Sequence, residues 1–125
     1  MSTQSLTIIV TGEPMPAARP RVVRGNTYTP EPYRSYKERL AWLLREAMGG
    51  LPTNLTATLK VEAGFFRSTK RRVDLDNLLK AVLDAATEAG VWQDDSQVRE
   101  IVSWMELGQS DPHTAIRISV LGEAV

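Results

Sequence analysis

Hydrophobic positions along this chain follow two distinct periods. Ser5 to Val10 (SLTIIV) sets Leu6, Ile8 and Val10 on one side, and Leu55 to Phe66 alternates Leu55, Ala57, Leu59, Val61, Ala63 and Phe65 with other residues. Alternate side chains of an extended chain share a face, so both stretches predict strands. From Tyr33 to Met48 the apolar positions are 33, 36, 40, 43, 44 and 47, and a second set runs Leu75, Leu78, Leu79, Val82, Leu83, Ala86. Steps of three and four predict helices, stopped by GGLP in the first case and by Gly90 in the second. Trp42 falls off the first helical stripe and is expected to be partly exposed. Val98 to Leu107 and His113 to Leu121 predict two further strands, joined around the turn cluster GQSDP.

The predicted order is β-α-β-α-β-β in a single domain spanning residues 1–125, an α+β fold with a mixed sheet packed against two helices. Between Thr11 and Pro32 the chain is rich in proline and carries Arg19, Arg21 and Arg24, which predicts a long surface loop; loops of that length usually have a task. No apolar run approaches the ~18 residues of a membrane span. The N-terminus lacks a basic n-region, so no signal peptide is expected. There is no cysteine, which removes disulfides and thiolate metal sites and suits a cytoplasmic setting.

Fifteen basic residues balance fifteen acidic ones, yet the charge is segregated. Seven Arg or Lys face two Glu between Pro16 and Arg45, and Arg67, Lys70, Arg71 and Arg72 form a second basic cluster. Immediately after it come Asp74, Asp76, Asp84, Glu88, Asp94 and Asp95. Asp74 and Asp76 bracket the expected start of a helix. Two residues apart inside a helix they would diverge by about 200°, but in extended chain they share a face, so at a helix boundary they can converge. The bland alternative is that Asp74 caps the helix, Asp76 favours its dipole and Lys80 pairs along the surface with Asp76 and Asp84. Asp94 and Asp95, in QDDS, likewise suit a turn.

A helix of about sixteen residues spans ~24 Å, so the second pair reaches the first only if the chain after Gly90 folds back. Were three carboxylates to converge, each pair ~4 Å apart would repel by about 4 kcal/mol at an effective dielectric of ~20. An exposed Lys80 offsets only ~0.3–0.5 kcal/mol of that. Such a cluster would bind a divalent cation or hold protons; all-oxygen ligands favour Mg²⁺ or Mn²⁺.

The stretch DLDNLLKAVLDAATEAGVWQDDSQV closely resembles the core motif of the RusA-type Holliday junction resolvases, small endodeoxyribonucleases of bacteria and their phages. The shared parts are the DxDN start, the lysine four residues beyond the second aspartate, the alanine-rich helix, the G-V-W element and the DDxQV end. Upstream, ARPRVVRGNTYTPEPYRSYKE is similar to the family's basic loop and following helix, so the resemblance runs over about 85 residues, from Ala18 to Val102. It implies a Mg²⁺-dependent homodimer, with Mn²⁺ as a substitute, that nicks four-way DNA junctions in recombination and repair. The family's essential acidic positions fall on Asp74, Asp76 and Asp95 as metal ligands, and its lysine on Lys80; Asp94 takes a lesser role. Some members carry a basic residue directly before the first aspartate, where this chain has Val73, with Arg72 one position earlier.

On that reading Asp74, Asp76 and Asp95 hold the metal at the scissile phosphate and Lys80 stabilises the transferring phosphate or orients water. Arg19, Arg21, Arg24, Arg67, Lys70, Arg71 and Arg72 are candidate contacts to the DNA backbone. Tyr28 could stack on an unpaired base, with packing as the alternative. His113 is assigned to structure. Trp42, Phe66, Trp104 and the edge of the last strand are unranked interface candidates against a default of core packing. No small-molecule substrate and no membrane are expected. Two competing readings are a general branched-DNA or flap endonuclease and a non-catalytic DNA-binding protein.

Overall fold

A computed structural model describes residues 5–18, 21–49 and 57–123. The elements are β1 (Ser5–Thr11), β2 (Arg21–Val23), β3 (Asn26–Tyr28), α1 (Glu31–Ala47), β4 (Ala57–Phe66), α2 (Leu75–Ala89), a 3-10 turn (Asp95–Gln97), β5 (Val98–Glu106) and β6 (His113–Glu123). The domain is α+β, with two helices on one face of a mixed four-stranded sheet of order β1-β6-β4-β5. No helix among the described residues is long and apolar enough to cross a membrane.

The alternating residues of β4 explain its central place. Ala57, Leu59, Val61, Ala63 and Phe65 are buried beneath the helices, joined by Ile8 and Val10 of β1 and Ile116 and Ile118 of β6. α1 contributes Tyr33, Tyr36, Leu40 and Leu44, and α2 contributes Leu78, Val82 and four alanines, Ala81, Ala85, Ala86 and Ala89. Those alanines bring α2 close to the sheet without filling space that larger neighbours need. Trp42 lies off the α1 stripe and is exposed, as its position predicts.

One feature departs from the sequence reading and two lie beyond it. The expected loop from Thr11 to Pro32 contains a separate antiparallel hairpin, β2–β3, closed by Arg24-Gly25. The two last strands do not pair with each other: β6 pairs antiparallel with β1 and β4, whereas β5 lies parallel to β4 at the free edge. The parallel pairing follows from the crossover through α2, since a βαβ unit returns its second strand in the direction of the first. Finally, the start of the expected Leu55–Phe66 strand lies outside the described residues, which begin again at Ala57.

Candidate active site

α2 organises the carboxylates. Its N-cap is Asp74, in extended conformation (φ −84°, ψ 128°), and its C-cap is Gly90, in the left-handed region at φ 79°. Asp74 occupies the capping position without using it: its side chain accepts no capping hydrogen bond. Asp76 stands in the first turn, where the helix dipole favours a negative charge. Both aspartates and Lys80 are exposed. Among the described residues Lys80 forms no salt bridge with Asp76 or Asp84, so the bland surface-pair reading of this stretch is not realised.

Three connecting segments gather at this end of the sheet. Arg67 and Gln109 link the β4–α2 and β5–β6 loops: Arg67 N–H donates to Glu106 O at 2.8 Å and Gln109 N–H donates to Arg67 O at 2.8 Å. Glu13 holds the segment after β1 against the same loop, accepting from Ser68 N–H at 3.0 Å and from the Ser68 hydroxyl at 2.8 Å. Ala17 N–H then donates to Asn77 O at 2.9 Å, fastening that segment to the first turn of α2. The Arg67 guanidinium turns back to the Arg71 carbonyl at 3.1 Å. Lys70, Arg71 and Arg72 remain exposed on the loop that runs straight into Asp74. Positive charge therefore flanks the acid pair through short chain connections, and Val73, half-buried against the core, leaves Arg72 as the last cation before Asp74.

Asp95 goes elsewhere. The chain after Gly90 buries Val91 and Trp92, and the indole N–H of Trp92 donates to Thr87 Oγ1 at 2.9 Å. Asp94 caps the 3-10 turn, accepting from Ser96 N–H at 3.0 Å, while Gln97 Oε1 accepts from Gln93 N–H and Asp94 N–H at 2.9 and 3.2 Å. The Gln97 amide in turn donates to Ala57 O at 2.9 Å, at the first residue of β4. Asp74 lies beyond the other end of that strand, after the loop that follows Phe66, so the two aspartates lie toward opposite ends of β4, roughly 33 Å long at ten residues. They also bracket α2, about 22 Å long. Asp94 and Asp95 line an open polar depression of about 480 Å³, shared with Lys37, Asp84, Thr87, Glu88 and Gln93.

The Ser96 backbone N–H, aided by the neighbouring Asp95 side chain, holds the Asp94 carboxyl below the ordinary aspartate range, in keeping with its place as cap of the 3-10 turn. Across the depression Lys37 bonds Glu88 at 2.9 Å, and that bond raises the lysine. Among the described residues no group of three or more His, Asp or Glu is placed to hold a metal ion. Within one chain Asp74 and Asp76 thus stand at one end of α2 and Asp95 just past the other.

The remaining sequence candidates sort by place. Arg24 sits at the tip of the β2–β3 hairpin and Tyr28 at its base, both exposed; Arg21 pairs with Tyr28 in register, and Arg19 lies outside the described residues. His113 opens β6 and stacks on Phe66, with ring centroids 4.3 Å apart and planes 10° from parallel. Trp104 stands on the exposed edge strand β5. Sequence reasoning missed Glu13 and Ser68, which meet across fifty-five positions of chain, partly through a backbone N–H. No periodic signal marks such contacts.

Comparisons with known proteins give the chain's family. Residues 11–119 match the family described as Endodeoxyribonuclease RusA. The chain is 36% identical over 101 residues to the crossover junction endodeoxyribonuclease RusA of Escherichia coli K12, covering 78% of each chain. It is 37% identical over 75 residues to the protein of the same name from Enterobacteria phage 82, covering 60% of this chain and 61% of that one. The match spans the loop after β1, both helices and the turn that carries Asp95, and on this ground the chain belongs to the RusA family of endodeoxyribonucleases.

Proposed function

We propose that this protein is a Mg²⁺-dependent endodeoxyribonuclease that resolves four-way DNA junctions by paired phosphodiester hydrolysis, acting as a homodimer in recombination and repair. The observation that carries the reading is the uncapped Asp74 and the neighbouring Asp76 at the head of α2, fed by the exposed basic loop Lys70–Arg72. A polyanion approaches bare carboxylates only where local positive charge offsets them, and this loop supplies it.

Because one chain leaves the carboxylates as two halves, the homodimer has a chemical task. Two copies related by a two-fold axis, with their α2 helices side by side and antiparallel, set the partner's Asp95 against Asp74 and Asp76, and do so twice. The surface next to α2 favours such a contact: β5 is a free edge strand exposing Ile101, Val102 and Trp104, the kind of apolar edge that proteins otherwise cover. Mg²⁺, when held by these three carboxylates, would supply an activated water and stabilise the phosphate's developing charge. Lys80, one turn beyond Asp76 and exposed, lies on the helix face where it can donate to a phosphate oxygen. Lys70, Arg71 and Arg72 hold the backbone in place without reading bases. The relatives come from E. coli strains and a phage, which supports a bacterial cytoplasm, or one taken over by a phage, as its setting.

The direct test is incubation of the purified protein with a synthetic mobile four-way junction, a flap and a linear duplex, each with and without Mg²⁺. Symmetrical paired nicks confined to the junction support the proposal. Preferential cutting of the flap identifies a general branched-DNA nuclease instead. Junction binding that persists at full strength with no cleavage in Mg²⁺ or Mn²⁺ identifies a non-catalytic binder.

A further inference from the structure

Among the described residues the hairpin β2–β3 is the one strand pair that stands apart from the main sheet. Residues 22–28 are exposed throughout, including Val22 at 68%, Val23 at 51% and Tyr28 at 46%. A lone two-stranded ribbon is marginal in water, and one with apolar side chains on both faces has nothing to gain from solvent. Val23 and Tyr28 share one face, by the register Val23↔Asn26 and Arg21↔Tyr28, while Val22 lies on the other. The tip adds a second anomaly. Arg24 and Gly25 both have positive φ, 53° and 80°, the conformation of a two-residue hairpin turn whose first position normally takes Asn, Asp or Gly. An arginine held in that conformation is an unfavourable local choice that places a cation at the furthest point of the ribbon.

Two further facts say what the ribbon meets. From Pro14 to Pro30 the sequence contains arginines and no acidic residue, so its counterpart is anionic. Its root is fixed beside the carboxylates, because Ala17 N–H bonds Asn77 O in the first turn of α2 just before the hairpin begins. A partner that is negatively charged, offers flat apolar surfaces and lies at the proposed cutting site is DNA. Intact duplex hides its base faces in the stack; a four-way branch brings four helix ends to one place, where unstacking the arms makes base faces available.

Resting on the resolvase reading above, we propose that the β2–β3 hairpin is the element that recognises the branch. Tyr28 and Val23 pack against the exposed face of a base pair at the crossover, and Arg24 anchors the tip on a phosphate beyond it. Tyr28 is therefore a specificity-determining residue, separate from the loop cations that bind any DNA backbone.

The test compares wild type, Tyr28→Ala and Tyr28→Trp on a four-way junction and on linear duplex of the same length, with Ca²⁺ in place of Mg²⁺. Affinity is read by fluorescence anisotropy, and base stacking by 2-aminopurine placed at the crossover. Tyr28→Ala should lose about tenfold in junction affinity, keep its duplex affinity within about twofold, and abolish the 2-aminopurine change; Tyr28→Trp should restore both. Equal losses on junction and duplex, or no loss on either, overturn the assignment. Cleavage in Mg²⁺ is scored separately. A protein whose junction preference depends on Tyr28 but which never cuts would sink the nuclease reading and leave the hairpin's role standing; one that cuts junctions normally as Tyr28→Ala, with its preference intact, does the reverse.

Discussion

The indole of Trp104 on β5 lies across Gly64 on β4, in the space a side chain there would need. A Cβ added at residue 64 would stand 2.5 Å from Trp104 Cζ2 and 2.6 Å from Cε2. The two residues are paired across the parallel β4–β5 ladder, so the sheet's open face keeps a flat aromatic surface at its edge only while position 64 has no side chain. Gly64→Ala should destabilise the domain by about 1–3 kcal/mol through overpacking. In the Trp104→Ala background the same substitution should be nearly neutral. A double-mutant cycle by denaturant unfolding decides this; additive effects would separate the pair.

The proposed sharing of the carboxylates between two copies makes a complementation experiment informative. Asp74→Asn and Asp95→Asn proteins should each fail to cut a junction while still binding it. Mixed in equal amounts and allowed to exchange subunits, they should regain about a quarter of the wild-type nicking rate. Each mixed dimer holds one intact carboxylate set and one doubly altered set, so the products should be single nicks and not paired cuts. A mixture that stays inactive, despite subunit exchange shown by mass spectrometry, would mean that all three aspartates must come from one chain.

The buried Tyr36 hydroxyl and the buried Thr114 hydroxyl are 2.7 Å apart. Burial pushes the Tyr36 phenol up to about 12, the Thr114 bond opposing in part, whereas an unfolded tyrosine ionises near 10. The folded state therefore keeps its proton where the unfolded state has lost one. Stability from this group is fully present below about pH 10 and declines as pH rises toward 12. Tyr36→Phe should remove that part of the alkaline decline. At neutral pH it should cost about 1–3 kcal/mol by leaving Thr114 unpaired. Thermal unfolding from pH 8 to 12 measures both effects.

Arg71 is exposed on the loop that leads into Asp74, and its replacement tests that loop as part of the DNA footprint. Arg71→Ala should weaken junction and duplex binding alike and make the salt dependence of log K shallower by about one unit. An unchanged salt slope would remove Arg71 from the interface.

Much of this molecule is legible in its sequence, for reasons particular residues make plain. The alternation from Ala57 to Phe65 and the three-four spacing from Leu75 to Ala86 survive because one face of each element is buried. Asp74 and Gly90 mark both ends of α2 through backbone conformations those residue types favour. The hairpin escaped because its strands are three residues each, too short for a period, and because its turn has Arg-Gly where Asn-Gly would have signalled it. The direction taken after Gly90 was equally hidden. It depends on where Trp92 finds its cavity and on the Gln97 amide reaching Ala57 O, contacts with partners that no local pattern names. The aspartate positions are readable, but their mutual distance is not.

With Asp74 at one end of α2 and Asp95 just past the other, the helix works as a measuring rod. Each residue inserted between Asp76 and Gly90 would advance one end by about 1.5 Å and swing it through about 100°, which in the proposed dimer would disturb both sites at once. A full extra turn would restore the bearing but misplace the ends by about 5.4 Å. Relatives that work by the same division of labour should tolerate length changes in the β5–β6 turn while holding this helix at a fixed count.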